Sequence, residues 1–280
     1  MTDLTRIVAD LRAEGDELYQ FLLTLDEADW SRATTFKSWT VNDVVAHLYF
    51  GDYLGVTSHK DGQAFKRFMA EVQNSGLTLA EFTRQWLENL SGVEMLEQWR
   101  ELFLEMCELF AASDPRLRLT WAGPDMGIQM FATARLMETW AHSWAIYDLL
   151  GTSRKQSDRI KHIATIGVKT YQWTFVNRGS TPPGPPPHIS LQAPSGELWE
   201  WNTEQSENKI SGDAVEFCQV VTQVRNIADT KLRLTGEPAK QWMKIAQCFA
   251  GPAEEPPKKG LRGLSKEMSS KQVLPKSVEN

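Results

Sequence analysis

The chain has 280 residues, of which 41% are hydrophobic and 24% charged, the balance of an ordinary soluble globular protein. Its 30 Lys and Arg against 36 Asp and Glu leave a net charge of −6, which excludes nucleic acid as the natural partner because phosphate binding needs a basic face. Three scattered cysteines, Cys107, Cys218 and Cys248, exclude a disulfide framework and fit the reducing cytoplasm, while no apolar run is long enough to span a membrane.

Leu4, Ile7, Val8, Leu11, Leu18, Phe21 and Leu22 recur at helical spacing and predict a first amphipathic helix. Thr40 caps a second helix, with Asp43 placed to return a hydrogen bond, and Val41, Val44, Val45, Leu48 and Tyr49 form its buried stripe. A long third helix is predicted over 78–112, capped by Thr78. A fourth is predicted over 128–150 and stops at Gly151. Four such helices with no strand pattern between them predict a four-helix bundle over 1–151.

Residues 153–178 read as one more helix. The run Thr181-Pro-Pro-Gly-Pro-Pro-Pro187 then fits neither a helix nor a central strand, so 152–187 reads as a connecting helix with a stiff linker. Beyond it the pattern changes. Residues 188–193 and 197–201 alternate around Pro194-Ser195-Gly196, which predicts a hairpin. Asp213 caps a helix to about 224, residues 230–235 form a short strand, and Glu237-Pro238 opens a last helix to about 250. Residues 188–251 are therefore expected to form a small α+β domain. The segment 252–280 is poor in apolar residues and is expected to be disordered.

No nucleophile elbow, phosphate loop or zinc-protease motif occurs. The fourth helix carries Arg135-Leu-Met-Glu138-Thr-Trp-Ala-His142, and residues four apart share a helical face, so Glu138 and His142 can bind one ion together. His47 sits mid-helix on the second helix of the same bundle. Bundle interiors build metal sites from facing helices, and two imidazoles with one carboxylate suit zinc with a position left open. Spacing alone leaves other readings open: a surface helix pair for Glu138 and His142, a core histidine for His47. Arg135 shares their face and is read either as an anchor for an anionic substrate or as an ion-pair partner of Glu138. Arg225, at the end of a predicted helix, either reaches the cleft between the domains or is a solvated helix end. Trp121 and Met126 are candidates for a lip over the bundle mouth, with core packing as the alternative.

Trp39-Thr-Val-Asn-Asp-Val-Val-Ala-His47-Leu48, the Arg135 to His142 run and Asp148-Leu-Leu-Gly151 together resemble the DinB-like superfamily. More narrowly they resemble the mycothiol-dependent maleylpyruvate isomerase family and its uncharacterised metal-binding relatives. The resemblance continues through residues 212–223, 234–236 and 242–251 and covers about 1–251. It implies His47, Glu138 and His142 as zinc ligands, with a low-molecular-weight thiol such as mycothiol as second cofactor. The implied chemistry is isomerase or S-transferase action on a small electrophilic, anionic substrate. A homodimer is one assembly open to it. Two other readings are kept: a zinc-dependent hydrolase or hydratase without thiol, and a non-enzymatic, metal-stabilised binder of small ligands. The chain departs from its relatives directly after the last ligand, where Ser143-Trp144-Ala145 stands in place of Gly-Gln-Asp.

Overall fold

The structure is a computed structural model that describes residues 3–88 and 90–262. Four long helices build the bundle: α1 (Asp3–Leu22), α2 (Val41–Lys60), α5 (Gly92–Ala111) and α6 (Ile128–Leu150), with α3 (Gly62–Asn74) and α4 (Leu79–Trp86) between the second and third of them. α2 packs on α5 and α6, and α1 packs on α5 and α6. The start of α2 is fixed as its sequence suggests: Asp43 N donates to Thr40 Oγ1 at 3.1 Å and Thr40 N donates to Asp43 Oδ2 at 2.9 Å. Gly151 ends α6 in the left-handed region at φ 63°.

The single helix expected over 78–112 is two. Glu88 and Gly92 both take positive φ, 50° and 60°, which breaks the helix into α4 and α5. Between α2 and α4, α3 was not anticipated. It folds back from Asp61, whose carboxylate accepts from Gln63 N at 2.8 Å, and it buries Phe65 in a satellite cluster with Phe50 and Leu54. Close approach of α1 to α5 depends on Gly15, because a Cβ there would lie 2.3 Å from the Phe103 ring. Phe103 is fully buried and has little room to yield. Gly15→Ala is therefore expected to destabilise the fold by about 1–3 kcal/mol, read as a lower urea midpoint; an unchanged midpoint would show that the ring can move.

The helix expected over 153–178 is also divided, into α7 (Lys161–Lys169) and α8 (Tyr171–Val176), with a 3₁₀ turn over Asp158–Ile160 before them. Residues 154–157 leave the helical path so that Arg154 can bury its guanidinium against Glu14 of α1. The proline run is tied down: Tyr171 donates to Gly184 O at 2.8 Å and Asn208 to Pro185 O at 2.9 Å.

A short pair, β1 (Arg118–Leu119) and β2 (Met126–Gly127), leads into α6. The main sheet contains β3 (His188–Gln192), β4 (Leu198–Trp201), β5 (Lys209–Asp213) and β6 (Arg233–Thr235) in the order β4-β3-β5-β6. The predicted hairpin is β3–β4, with Leu191 opposite Trp199; β5 runs parallel to β3, with Ile189 opposite Ile210. β5 escapes sequence reading because Ile210 is its one buried residue, so no alternation shows. α9 (Ala214–Val221) starts on Asp213, which accepts from the Val215 and Glu216 amides, and α10 (Glu237–Ile245) closes the unit. Both end earlier than their patterns suggest, and Gln223 takes φ 57° just past α9. The architecture is thus a helical bundle followed by a small α+β unit, with one continuous core running from Leu11 and Trp99 to Ile189, Phe217 and Trp242.

Residues 252–262, expected to be part of a disordered segment, lie against the body. Glu254 N donates to Gln247 Oε1 at 2.9 Å, Asn226 donates to Pro257 O at 2.8 Å, and Arg178 pairs with Glu255 at 2.6 Å. The rest of that expectation, 263–280, lies outside the described residues. Among the described residues no helix is long and apolar enough to cross a membrane.

Candidate metal centre

Capping fixes the register of α2, and Arg84 of α4 reinforces it by donating to Asp43 Oδ1 at 2.6 Å. One turn on, His47 faces α6. Its Nε2 lies 3.4 Å from Glu138 Oε2, and His142 Nε2 lies 3.0 Å from the same oxygen. Donor atoms of all three residues fall within 4.8 Å of one another, the only such group of His, Cys, Asp or Glu among the described residues. Ligand atoms about 2.1 Å from a tetrahedral zinc stand roughly 3.4 Å apart, so the spacing fits that ion.

The charge state fits as well. Burial, and then the neighbouring His142, push the His47 imidazole down to about 4, so it is neutral at pH 7 and keeps a lone pair for coordination. Burial would raise the Glu138 carboxyl, but hydrogen bonds from His142 and His47 outweigh it and hold the group well below its usual range. One anionic oxygen and imidazole nitrogen from two helices make a borderline-soft donor set with no fourth ligand among the described residues, which is the pattern of an open zinc site.

An aromatic wall stands beside the histidines. The loop before α2 closes on itself, with Thr34 N donating to Trp39 O at 2.7 Å and with Lys37 and Ser38 in the left-handed region at φ 50° and 56°. This turn presents Phe36 edge-on to His142, ring centroids 5.1 Å apart, and lays Trp39 nearly parallel to the same ring at 5.8 Å. Neither residue was assigned a role from sequence. The available signal was a pair of aromatics flanking a two-residue turn directly before a helix cap.

The three candidate ligands open onto a cavity of about 520 Å³ whose lining includes Phe36, Trp39, Trp144, Arg225 and Arg262. Trp144 lends the cavity an indole, and Ser143 turns inward to donate to Trp140 O at 2.9 Å. Arg225 reaches the cavity as one sequence reading expected. It makes a two-point pair with Asp148 at 2.7 and 2.6 Å and lies 5.1 Å over the Trp144 ring.

Arg135 does not reach it. Its Nε donates to Asp52 Oδ1 at 2.8 Å and its Nη2 to Leu48 O at 3.1 Å, so it fulfils neither role read from its helical face. Asp52, fully buried on α2, is the partner that sequence reading missed. Trp121 packs on Phe131 and Phe65, ring centroids 4.9 and 5.6 Å apart, and neither it nor Met126 lines the cavity, so core packing is their place.

The cysteines hold no candidate nucleophile. All three are buried. Desolvation pushes the Cys107 thiol up to about 12 and raises those of Cys218 and Cys248 as well.

The chain resembles known proteins in sequence and in fold. The family model described as the mycothiol maleylpyruvate isomerase N-terminal domain matches residues 11–147, the stretch that holds all three candidate ligands. Two uncharacterized proteins of Mycobacterium tuberculosis, from strains CDC 1551 / Oshkosh and H37Rv, are each 36% identical over 253 residues, covering 90% of this chain and 98% of theirs. The crystal structure of the mycothiol-dependent maleylpyruvate isomerase superposes with a TM-score of 0.52 at 13% identity, over 78% of this chain and 88% of that one. A histidine-to-alanine mutant of that enzyme superposes with a TM-score of 0.51. The 36% identity over nearly their whole length shows that the chain belongs to one family with these two mycobacterial proteins, and its residues 11–147 carry the mycothiol maleylpyruvate isomerase N-terminal domain.

Proposed function

We propose that this protein is a zinc-dependent, thiol-using isomerase or S-transferase acting on a small electrophilic, anionic substrate of the maleylpyruvate type. The observation that carries the reading is the convergence of His47, Glu138 and His142 on one point at a cavity large enough for a small acid and a thiol cosubstrate. Zinc and a low-molecular-weight thiol, when bound, supply a nucleophile for reversible addition to an activated double bond, because a bound cation favours the deprotonated sulfur. The chain contributes the rest. His47 and His142 offer nitrogen, Glu138 offers negative charge, and Phe36 and Trp39 shield the ligand rings from water, which strengthens every electrostatic contact there. The buried state of its own cysteines is consistent with a need for an external thiol.

The test joins elemental analysis to turnover. Purified full-length protein is expected to hold about one zinc per chain, His142→Ala less than about a tenth of that, and the wild type to turn over maleylpyruvate only with added thiol. Equal zinc in the two proteins would refute the site. The indole of Trp144 in the cavity favours a second reading, a metal-stabilised binder of small ligands, which predicts saturable ligand binding with no turnover under any thiol.

A further inference from the structure

Among the described residues three cations line the cavity: Lys37, Arg225 and Arg262. Two are already matched to a carboxylate, Lys37 to Glu254 at 3.0 Å and Arg225 to Asp148 at 2.6 Å. Arg262 forms no ion pair among the described residues. Its Nη1 donates to Gln223 O at 2.6 Å, and its Nε is buried with no hydrogen-bond partner among those residues. Arg262 thus lines the cavity as a guanidinium without a carboxylate partner among the described residues, and its charge is open to an anion that enters. On the same cavity Trp144 Nε1 is a second buried donor without a partner among the described residues.

The position of Arg262 is built by its surroundings. The strap that carries it is held by Gln247 and Asn226, and its guanidinium lies 4.8 Å over the Phe36 ring. Phe36 is itself in edge contact with His142. The cation therefore stands one aromatic ring away from a candidate metal ligand, on the wall of the same cavity. Burial and the neighbouring Arg225 both lower its pKa against the pull of Asp148 and Glu254, and an arriving anion would relieve that penalty.

We propose that Arg262 is the anion receptor of this site, and that it grips a carboxylate of the small electrophilic substrate whose other end lies at His47, Glu138 and His142. The proposal deepens the thiol-enzyme reading and rests on it only for the identity of that other end. It selects short dicarboxylates and keto acids over neutral electrophiles, since a guanidinium edge matches a carboxylate in shape as well as charge.

The probe is maleate, a dicarboxylate that keeps a cis double bond and lacks a keto group, titrated calorimetrically into full-length protein with and without zinc. Arg262→Gln is expected to weaken maleate binding about tenfold or more in both forms, and Arg262→Lys, which keeps charge but loses the fork, by about fivefold, with zinc content unchanged. Thermal melting checks that each variant folds; should Arg262→Gln fail to fold, unchanged affinity in Arg262→Lys overturns the proposal. It is also overturned if wild-type protein binds no maleate, if Arg262→Gln binds it as tightly as wild type, or if the loss appears only with glutathione, whose carboxylates would then be what Arg262 holds. Maleate binding that depends on Arg262 in a protein that takes up no zinc would sink the zinc reading and leave this one standing.

Discussion

Glu138→Gln is expected to empty the centre of zinc and abolish thiol-dependent turnover while leaving the bundle folded. The substitution keeps the shape of the side chain and removes its charge. Glu138 is the one anion of the three donors, and both imidazoles direct Nε2 to its Oε2, at 3.4 and 3.0 Å. With an amide in its place, a divalent cation meets only neutral donors. Loss of an outer-shell partner of a zinc ligand costs roughly 10–100-fold in affinity, so loss of the ligand charge itself should cost at least about 100-fold. The measurement is zinc retained per chain after gel filtration against a weak chelator. Zinc retained at the wild-type level would mean that the carboxylate does not bind the ion and that the convergence serves packing alone.

Helical spacing put Glu138 and His142 on one face but left other readings open, and the set of three with His47 came from the family resemblance, whose motifs fall on two helices of one bundle. Arg135 shows the limit of that rule. Most of α6 is buried, including both Arg135 and Ile146, so its faces do not separate into core and solvent, and sharing a face with Glu138 says little about where a long side chain goes. What decides it lies on α2. Asp52 is fully buried and demands a cation, and Gly51 clears the path, since a Cβ there would stand 2.3 Å from Arg135 Nη1. A carboxylate in the middle of an apolar helix was the signal available for this pair. Phe36 and Trp39 were hidden for another reason: their placement depends on a loop with two left-handed residues, which no periodicity encodes. Arg262 was hidden because a segment rich in proline, lysine and glutamate carries no hydrophobic pattern, although side chains of the body hold it in place.

The pair beneath the centre sets the second large effect. Asp52→Ala is expected to cost about 3–5 kcal/mol of folding stability, because it strands a guanidinium in the bundle core. The Arg135 side chain is 7% exposed and that of Asp52 is fully covered, and the change would leave Arg135 with Leu48 O as its one remaining acceptor among the described residues. Trp99 would lose its acceptor too, since its Nε1 donates to Asp52 Oδ2 at 2.8 Å. A domain of this size has only about 5–15 kcal/mol to lose, so the urea midpoint should fall sharply. Arg135→Met should be costly as well, for it leaves a buried carboxylate facing apolar groups. The double variant Asp52→Leu with Arg135→Met should recover much of the loss, as buried ion pairs replaced by apolar residues often do. A double variant that costs as much as the two single ones together would show that the charges act independently. The same variants decide the role of Arg135. A residue that anchors substrate would leave stability unchanged and raise KM. Arg135 is instead expected to lower the urea midpoint, and the double variant, with the helices held by packing, should keep the wild-type zinc content because its three candidate ligands are untouched.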